Sequence, residues 1–268
     1  MSDQAASSKP VLGIDIGGSG IKGAPVDLAT GELTTERLKI ATPEKSTPKN
    51  VAQVVGQIVE HFADTIGDGP IGVTIPAVVT HGRTRSAANI DPSWIDCEAE
   101  NIFEDHLGRD IMLVNDADAA GIAEVRYGAA KDHPGLVILT TLGTGIGTAI
   151  VYRGVLIPNS ELGHIEVDGH DAETRAASSA KDREDLSYKE WATKRLQRYY
   201  ERLEALLWPD LIVVGGGVSR KSDKFLPLLK LKAEIVPAKL QNTAGIVGAA
   251  WLTYDRQIHP APTTLASE

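Results

Sequence analysis

Three glycine clusters mark where this chain could handle an anion. The first reads Asp15-Ile16-Gly17-Gly18-Ser19-Gly20-Ile21-Lys22-Gly23. Glycine lets backbone N–H groups approach an anion closely. Ser19 adds a hydroxyl and Lys22 an ammonium, and the Asp15 carboxylate could hold a hydrated metal ion. Asp15, Gly17, Gly18, Ser19, Gly20 and Lys22 are thus parts for binding Mg²⁺ and a phosphate tail. The second cluster, Thr140-Thr141-Leu142-Gly143-Thr144-Gly145-Ile146-Gly147, repeats this logic with Gly143, Thr144 and Gly145. The third, Gly215-Gly216-Gly217, is either a strand-to-helix turn or a place where a flat ligand such as a nucleoside lies close to bare backbone. A tight hairpin with no ligand is the alternative for the first cluster, but two such loops in one chain are a poor accident.

Two familiar nucleotide loops are excluded. No Gly-Lys-Ser or Gly-Lys-Thr occurs, so the phosphate-binding loop of P-loop enzymes is absent. Gly18-Ser19-Gly20-Ile21-Lys22-Gly23 has the letters of a dinucleotide fingerprint. That fingerprint must open a helix, whereas residues 21–26 read as a strand and Pro25 would disrupt a helix interior.

These clusters need elements to hold them. Residues 11–16 and 21–26 read as strands around the first cluster, with a third strand over 33–40. Val51, Val54, Val55, Ile58, Val59 and Phe62 recur at helical spacing, which predicts a helix over 48–62. Strands follow at 71–75 and 111–114, the latter ending at Asn115-Asp116. An Ala-rich helix spans 117–127. Strands at 135–142 and 148–152 flank the second cluster, and a long amphipathic helix covers 186–207, with Trp191, Leu196, Tyr199, Leu203, Leu206 and Leu207 on its apolar side. A strand at 211–214 precedes the third cluster, and a last helix runs from about 244 to 258. Strands and helices alternate, so the fold class is α/β. Two glycine-broken hairpins imply an internal duplication into two lobes. The expected division is 1–115 plus 246–268 for a small lobe, with 1–10 a disordered tail, and 116–245 for a large one.

Composition narrows the function. The chain has 268 residues, 42% of them hydrophobic, which is enough to bury a core unaided. One cysteine, Cys97, excludes a disulfide framework and a Cys-rich zinc site. No apolar run is long enough for a membrane span. The polar N-terminus lacks a signal core, so the expected compartment is the cytoplasm. A net charge of −9 argues against broad nucleic-acid binding. The acid is uneven, however. Residues 89–118 hold nine acids and one base, while 219–240 hold six bases and two acids. Solvated surface is the plain explanation of both blocks, and an anion-binding lobe facing a neutral-substrate lobe is the functional one. With the acid so concentrated, the net charge does not oppose a localized phosphate-chain groove.

The two glycine hairpins, Asn115-Asp116 and Glu161-Leu162-Gly163-His164 resemble the ROK sugar kinases, over roughly residues 11–255. That family belongs to the sugar kinase/actin/Hsp70 ATPase superfamily, with a duplicated ribonuclease H-like fold. Within it, the stretch from Glu161 to Thr174 and Ala244-Gly245-Ile246-Val247-Gly248-Ala249-Ala250 are most similar to bacterial polyphosphate glucokinases, a group that includes polyphosphate/ATP glucomannokinases. There is one departure. Many ROK proteins carry a C-x-C-G-x-x-G-C zinc loop after the Gly-His motif, and residues 164–173 contain no cysteine. No zinc site is therefore expected, although His164, Glu166, Asp168 and His170 could be mistaken for ligands. Ten residues before the first strand also leave no room for the DNA-binding domain of ROK repressors.

The resemblance implies roles. Asp116 would be the catalytic base that takes the proton of the sugar 6-hydroxyl. Its plain alternative is an N-cap for the following helix, and Asp118 is a rival carboxylate. Asn89, Asn115, Asp116, Glu161, His164 and Glu173 would bind sugar. Lys22, Lys45, Lys49, Arg83, Arg85 and the 219–240 block are candidates for phosphate-chain contacts. The implied activity is phosphorylation of glucose, and of mannose, from inorganic polyphosphate and ATP with Mg²⁺, in a homodimer. The alternatives are an ATP-only hexose or N-acetylhexosamine kinase and a non-catalytic sugar sensor.

Overall fold

The structure, a computed structural model, describes residues 10–87 and 90–259. In the first half, β1 (Val11–Gly17) turns back into β2 (Gly20–Asp27), which pairs with β3 (Glu32–Leu33) and β4 (Leu38–Ile40). Helices α1 (Pro48–His61) and α2 (Ala63–Ile66) lead to β5 (Ile71–Ile75), parallel to β1. A small hairpin, β6 (Val79–Thr80) with β7 (Arg83–Thr84), and α3 (Ala99–Leu107) precede β8 (Met112–Asn115), parallel to β5. Helix α4 (Asp116–Tyr127) then carries the chain into its second half.

There β9 (Leu136–Leu142), β10 (Ile146–Tyr152) and β11 (Val155–Ile157) form an antiparallel meander. The pair β12 (Glu166–Val167) and β13 (His170–Asp171) leads to α5 (Glu173–Ala176), α6 (Ser178–Arg183), α7 (Tyr188–Trp191) and α8 (Gln197–Leu207). Strands β14 (Leu211–Gly215) and β15 (Glu234–Pro237) add in parallel to β9, and α9 (Ala244–Ile258) closes the described chain. Strand order is β3-β2-β1-β5-β8 in one sheet and β11-β10-β9-β14-β15 in the other. With β4 set aside, these are one topology used twice.

Side-chain alternation decides the layers. Leu12, Ile14 and Ile16 of β1 face Val51, Val55 and Ile58 of α1 and Phe103 of α3. On the second sheet, Ile138, Ile212 and Val214 face Trp191, Leu196 and Leu203. Between the sheets lie α4 and α9, where Ala119, Ala123, Ile246, Val247 and Ala250 meet Val11, Leu139 and Val213. Small residues let this middle layer close up. A Cβ on Gly248 would collide with the Ala119 carbonyl, and one on Gly13 with the Ile246 carbonyl. Buried Glu124 ties the end of α4 to the chain before α9, accepting from Ala129 N, Lys239 N and Leu240 N at 2.7, 3.1 and 2.7 Å.

Several expectations change. The third strand divides, because Pro25 lacks an N–H and cannot extend the ladder; β2 pairs with β4 before it, over residues 21–23, and with β3 beyond it, over residues 26–27. The long helix begins after a Ser187/Glu190 capping box and relaxes into a π-turn over Ala192–Leu196. Leu206, placed on its apolar side, is 50% exposed. The acidic window hides α3, and Glu100 there is not solvated: it is buried, accepts from Leu113 N at 3.1 Å and pairs with Arg256 at 3.0 Å. Residues 1–9 of the expected tail lie outside the described residues. Among the described residues no helix is long and apolar enough to cross a membrane.

Candidate active site

Val11, Gly13 and Asp15 share one face of β1. Gly13 packs under α9, and Asp15, one pleat further, emerges beside Gly245 in the first turn of that helix. A carboxylate there meets the helix's positive end. Thr74 Oγ1 donates to Asp15 Oδ1 at 3.0 Å, and Lys22, directly across the ladder, brings Nζ to 3.6 Å from Asp15 Oδ2. The hairpin tip is only Gly18 and Ser19, both exposed. Thr42 Oγ1 fixes the tip by donating to the Gly17 carbonyl at 2.5 Å.

Lys39 of β4, a residue the sequence reading passed over, stands opposite Lys22. Its stem lies over Gly20, where a Cβ would come within 2.5 Å of Lys39 Cε. Like charges paired across a ladder repel. Lys39 has no carboxylate partner among the described residues. Lys39 could therefore, with Lys22, hold an anion at the hairpin. Its only sequence signal was the alternation Leu38-Lys39-Ile40.

The second hairpin has no charge of its own. Ser178 Oγ and Ser179 N donate to the Gly143 carbonyl at 3.1 Å each, and Ser179 Oγ to that of Thr144 at 2.6 Å. The N–H groups of Thr144 and Gly145 have no partner among the described residues. Glu173 lies against Gly145 and accepts from Ile146 N at 2.9 Å through Oε2. The third cluster packs on this hairpin. Gly216 has φ +82° and a Cβ there would strike Leu142 backbone, so its bareness is structural; Gly217 is open.

Asn115 and Asp116 divide the head of α4 between them. The N-cap is Asn115, whose Oδ1 accepts from Ala117 N at 2.9 Å and Asp118 N at 3.0 Å, while its Nδ2 donates to Ala77 O at 3.1 Å. One amide hydrogen is all it has left for a ligand. The capping alternative for Asp116 thus falls to its neighbour. Asp116 is half-buried and accepts from Ala117 N at 2.8 Å. Removal from water, then the nearby Asp15 carboxylate, push its pKa up to about 7, against the pull of the Ala117 N–H. Burial likewise carries Asp118 to about 7. Asp118 is 3% exposed and bound to Asn159 N at 2.7 Å, so only Asp116 is accessible.

Thr148 of β10 places the next group. Its hydroxyl donates to Ser160 O at 2.7 Å and accepts from Leu162 N at 3.1 Å, which holds Glu161 between them. His164 follows in a 3-10 turn, with Nδ1 2.9 Å from Asp171 Oδ2 and Nε2 3.9 Å from Glu161 Oε2. The Asp171 hydrogen bond is the main cause of a raised His164 pKa. Burial raises that of Glu161, with His164 opposing. His164, Asp171 and Glu173 bring ligand atoms within 4.8 Å of one another, so they could hold a metal ion, although internal bonds already account for the grouping. Asp171 was not singled out from the sequence. Asn89 lies outside the described residues.

Asp15 thus acts on the charge of Asp116, and His164 and Glu173 on that of Glu161, with buried Asp118 the link between the two groups. Four of the other basic candidates are engaged elsewhere, while Arg220 lies by Gly217. Arg83 pairs with Glu98 and Arg85 with Asp96. Lys224 stacks over Tyr188 and Lys232 over Trp208, on the outer flank of the second sheet.

Two sheets of one topology, a glycine hairpin on each, and an accessible carboxylate at the head of the helix between them define a two-lobed sugar kinase fold. The chain belongs to the ROK family, whose profile matches residues 11–184. It is 53% identical over 247 residues to a polyphosphate glucokinase of Mycobacterium tuberculosis, covering 92% of each chain. Among solved structures, the inorganic polyphosphate/ATP-glucomannokinase of Arthrobacter sp. strain KM superposes with a TM-score of 0.88 at 47% identity, covering 92% of this chain and 99% of that one. A ROK glucokinase of Streptomyces griseus, solved with glucose and AMPPNP, matches in fold with a TM-score of 0.78 at 24% identity, covering 92% and 99%.

Proposed function

We propose that this chain is a polyphosphate glucokinase, transferring a phosphoryl group from inorganic polyphosphate or ATP to the 6-hydroxyl of glucose. The observation that carries this is Asp116, accessible, beside Asp15 and close to neutral pKa. A base poised there is ionised in good part at neutral pH and takes the hydroxyl proton as the new P–O bond forms. The shortened polyphosphate, or ADP, leaves with the electrons of the broken bond. Phosphoryl transfer depends on positioning and charge more than on covalent help from the protein. Lys22, Lys39 and the free N–H groups of the second hairpin supply the charge; Gly217 leaves room for a nucleoside. Glu161, Glu173 and the Asn115 amide offer acceptors and a donor to sugar hydroxyls, with His164 able to act as either.

Mg²⁺ suits the hard oxygen donor and would be held by Asp15 through water, since its Oδ1 is already bonded to Thr74 and its Oδ2 faces Lys22. When bound, the ion neutralises charge on the donor phosphates. No zinc is assigned, because residues 164–173 lack the cysteines of the family's zinc loop. The proposed lobes are 1–115 plus 246–268 and 116–245, supported by α9 lying on β1 and β5 and α4 on β9 and β10. Mannose as a second sugar, a homodimer, a cytoplasmic location and no nucleic-acid or membrane partner complete the proposal.

A donor swap tests it: glucose 6-phosphate formation with polyphosphate alone and with ATP alone. Product from polyphosphate supports the assignment. Product from ATP alone would make this an ATP-only hexose or N-acetylhexosamine kinase, and no product from either would make it a sugar sensor.

A further inference from the structure

Of the two buried acids of α4, Glu124 is spent on backbone N–H groups and Asp118 is left without an evident task. Asp118 is 3% exposed, and its Oδ1 is buried with no hydrogen-bond partner among the described residues. Taking a carboxylate out of water and leaving one oxygen unpaired destabilises a fold. Among the described residues its carboxylate has one bond, from Asn159 N to Oδ2 at 2.7 Å. What the bond holds is more informative.

Asn159 sits in the left-handed region at φ +59°, which asparagine tolerates. From there its carboxamide clasps one residue of the first half of the chain. Asn159 Oδ1 accepts from Val79 N at 2.8 Å, and Nδ2 donates to Val79 O at 2.8 Å. Val79 begins the β6–β7 hairpin. The chain leaves that hairpin through Arg85, whose N–H donates to Val78 O at 2.8 Å, and Ser86, whose hydroxyl accepts from Val78 N at 3.0 Å. In the other direction Asn159 runs through Ser160, held by Thr148, directly into Glu161.

One chain of hydrogen bonds therefore joins three parts that lie far apart in sequence. These are the helix that starts with Asp116, the loop that presents Glu161, and a hairpin of the opposite half. We propose that Asp118 is a positioning residue: through Asn159 and Val79 it sets where Glu161 stands relative to Asp116, and so where the sugar lies against its base. This rests on the assignment of Glu161 and Asp116 to sugar binding and proton transfer. Only the acceptor is needed for it, not the charge.

The test compares Asp118→Ala, Asp118→Asn, Asn159→Ala and the double variant Asp118→Ala/Asn159→Ala in the full chain. Glucose KM and kcat are measured at saturating donor, and donor KM at saturating glucose. Asp118→Ala should raise glucose KM by about tenfold and leave donor KM within about twofold. Asp118→Asn keeps an acceptor for Asn159 N and should restore most of the loss. Asn159→Ala should reproduce the loss, with the double variant little worse than either single. A folded Asp118→Ala variant with unchanged glucose KM overturns the proposal, as do equal losses in Asp118→Ala and Asp118→Asn, or additive losses in the double variant. If Asp118→Ala does not fold, Asn159→Ala decides by the same glucose-against-donor split. The rise in melting temperature on adding glucose separates the two claims. Wild type that makes no product yet is stabilised by glucose leaves the bridge testable by that shift, which the Ala variants should lose. Wild type that neither phosphorylates glucose nor is stabilised by it overturns both.

Discussion

The two glycine hairpins share a strand pattern and offer an anion different groups. The first is charged and lightly held: Asp15, Lys22 and Lys39 stand in one row across β1, β2 and β4, and among the described residues Thr42 alone ties the tip by a side chain. The second is uncharged and tightly held, with its carbonyls bonded by Ser178 and Ser179 and its flank by Glu173. The difference follows from what lies behind each. Asp15 meets the first turn of α9, a place that suits a carboxylate and, beyond it, a cation and its anion. The second hairpin backs onto α5 and α6, so backbone dipoles are what it can offer. On the proposed function, one strand pattern would serve as a charge clamp on one side and an amide cradle on the other.

Asp116 stands where both hairpins are of use, so its removal should have the largest effect. Asp116→Asn keeps an acceptor for Ala117 N and should fold normally. It should lower kcat by about 10²- to 10⁴-fold, with glucose KM changed only severalfold. An Asn variant with more than a tenth of wild-type kcat would remove Asp116 from the mechanism. The pH profile ties the base to the first hairpin. Because the ionised form is the base, kcat/KM for glucose should fall as pH drops through about 7. Neutralising Asp15, one of the causes of that raised value, should move the acid limb of Asp15→Asn to lower pH even though overall activity drops. A limb that stays in place would show that the two carboxylates do not sense each other.

A methyl group separates the hairpins more directly. On Gly145 a Cβ runs into the Glu173 carboxylate, whereas on Gly18 it meets nothing within 4 Å. Gly145→Ala should cost about 1–3 kcal/mol of stability through that displacement, seen in the melting temperature. Gly18→Ala should leave the melting temperature unchanged and raise donor KM, since a methyl at an exposed tip obstructs only the ligand. Equal behaviour of the two variants would erase the contrast between a held loop and an open one.

Most of the fold was legible in the sequence, and the reasons are specific. The hairpins announced themselves because glycine, β-branched runs and Pro25 leave no helical option, and α1 because its valines repeat at helical spacing. Asn115-Asp116 and Glu161 to His164 were legible through family resemblance. What stayed hidden depended on partners distant in the chain. Lys39 is an ordinary surface lysine until β4 sets it across from Lys22. Asn159 is a loop asparagine until Val79 arrives, and Glu100 one acid among many until Arg256 and Leu113 N meet it. The split of residues 33–40 turned on which residues of β2 can accept a partner, a property of the pair and not of the segment. Asn115 matches a sugar-binding position, but its oxygen caps α4 and one of its amide hydrogens goes to Ala77 O.

The acids of the second half give a smaller and opposite test from those of the first. Asp118 has a folded pKa of about 7 against about 3.9 for an ordinary aspartate, so the folded state binds more protons than the unfolded state between those values. Stability should therefore decline as pH rises from about 4 to about 7 and level off above. Asp118→Asn, which cannot ionise, should be more stable than wild type at pH 8 by on the order of 1–3 kcal/mol and show no such gain at pH 4. Urea unfolding at the two pH values checks this, and a gain of equal size at both would mean that Asp118 is not charged inside the fold.

Lys39 carries the finest prediction, because it separates donors and leaves the sugar untouched. Its ammonium lies beyond Lys22, further along the row from Asp15, so a longer phosphate chain has more to gain from it than ATP. Lys39→Gln should lower kcat/KM for polyphosphate by roughly three- to tenfold, ATP-dependent activity by less than twofold, and glucose KM not at all. Salt supplies an independent readout. Each lost cation–phosphate contact removes part of the ion release that makes polyanion binding salt-sensitive. The log–log slope of polyphosphate kcat/KM against salt should therefore flatten by about 0.5–1 in Lys39→Gln, and Lys39→Arg should hold the wild-type slope. Equal losses with both donors would place Lys39 at the phosphate groups that ATP and polyphosphate share, and would shorten the charged side of the cleft to the hairpin itself.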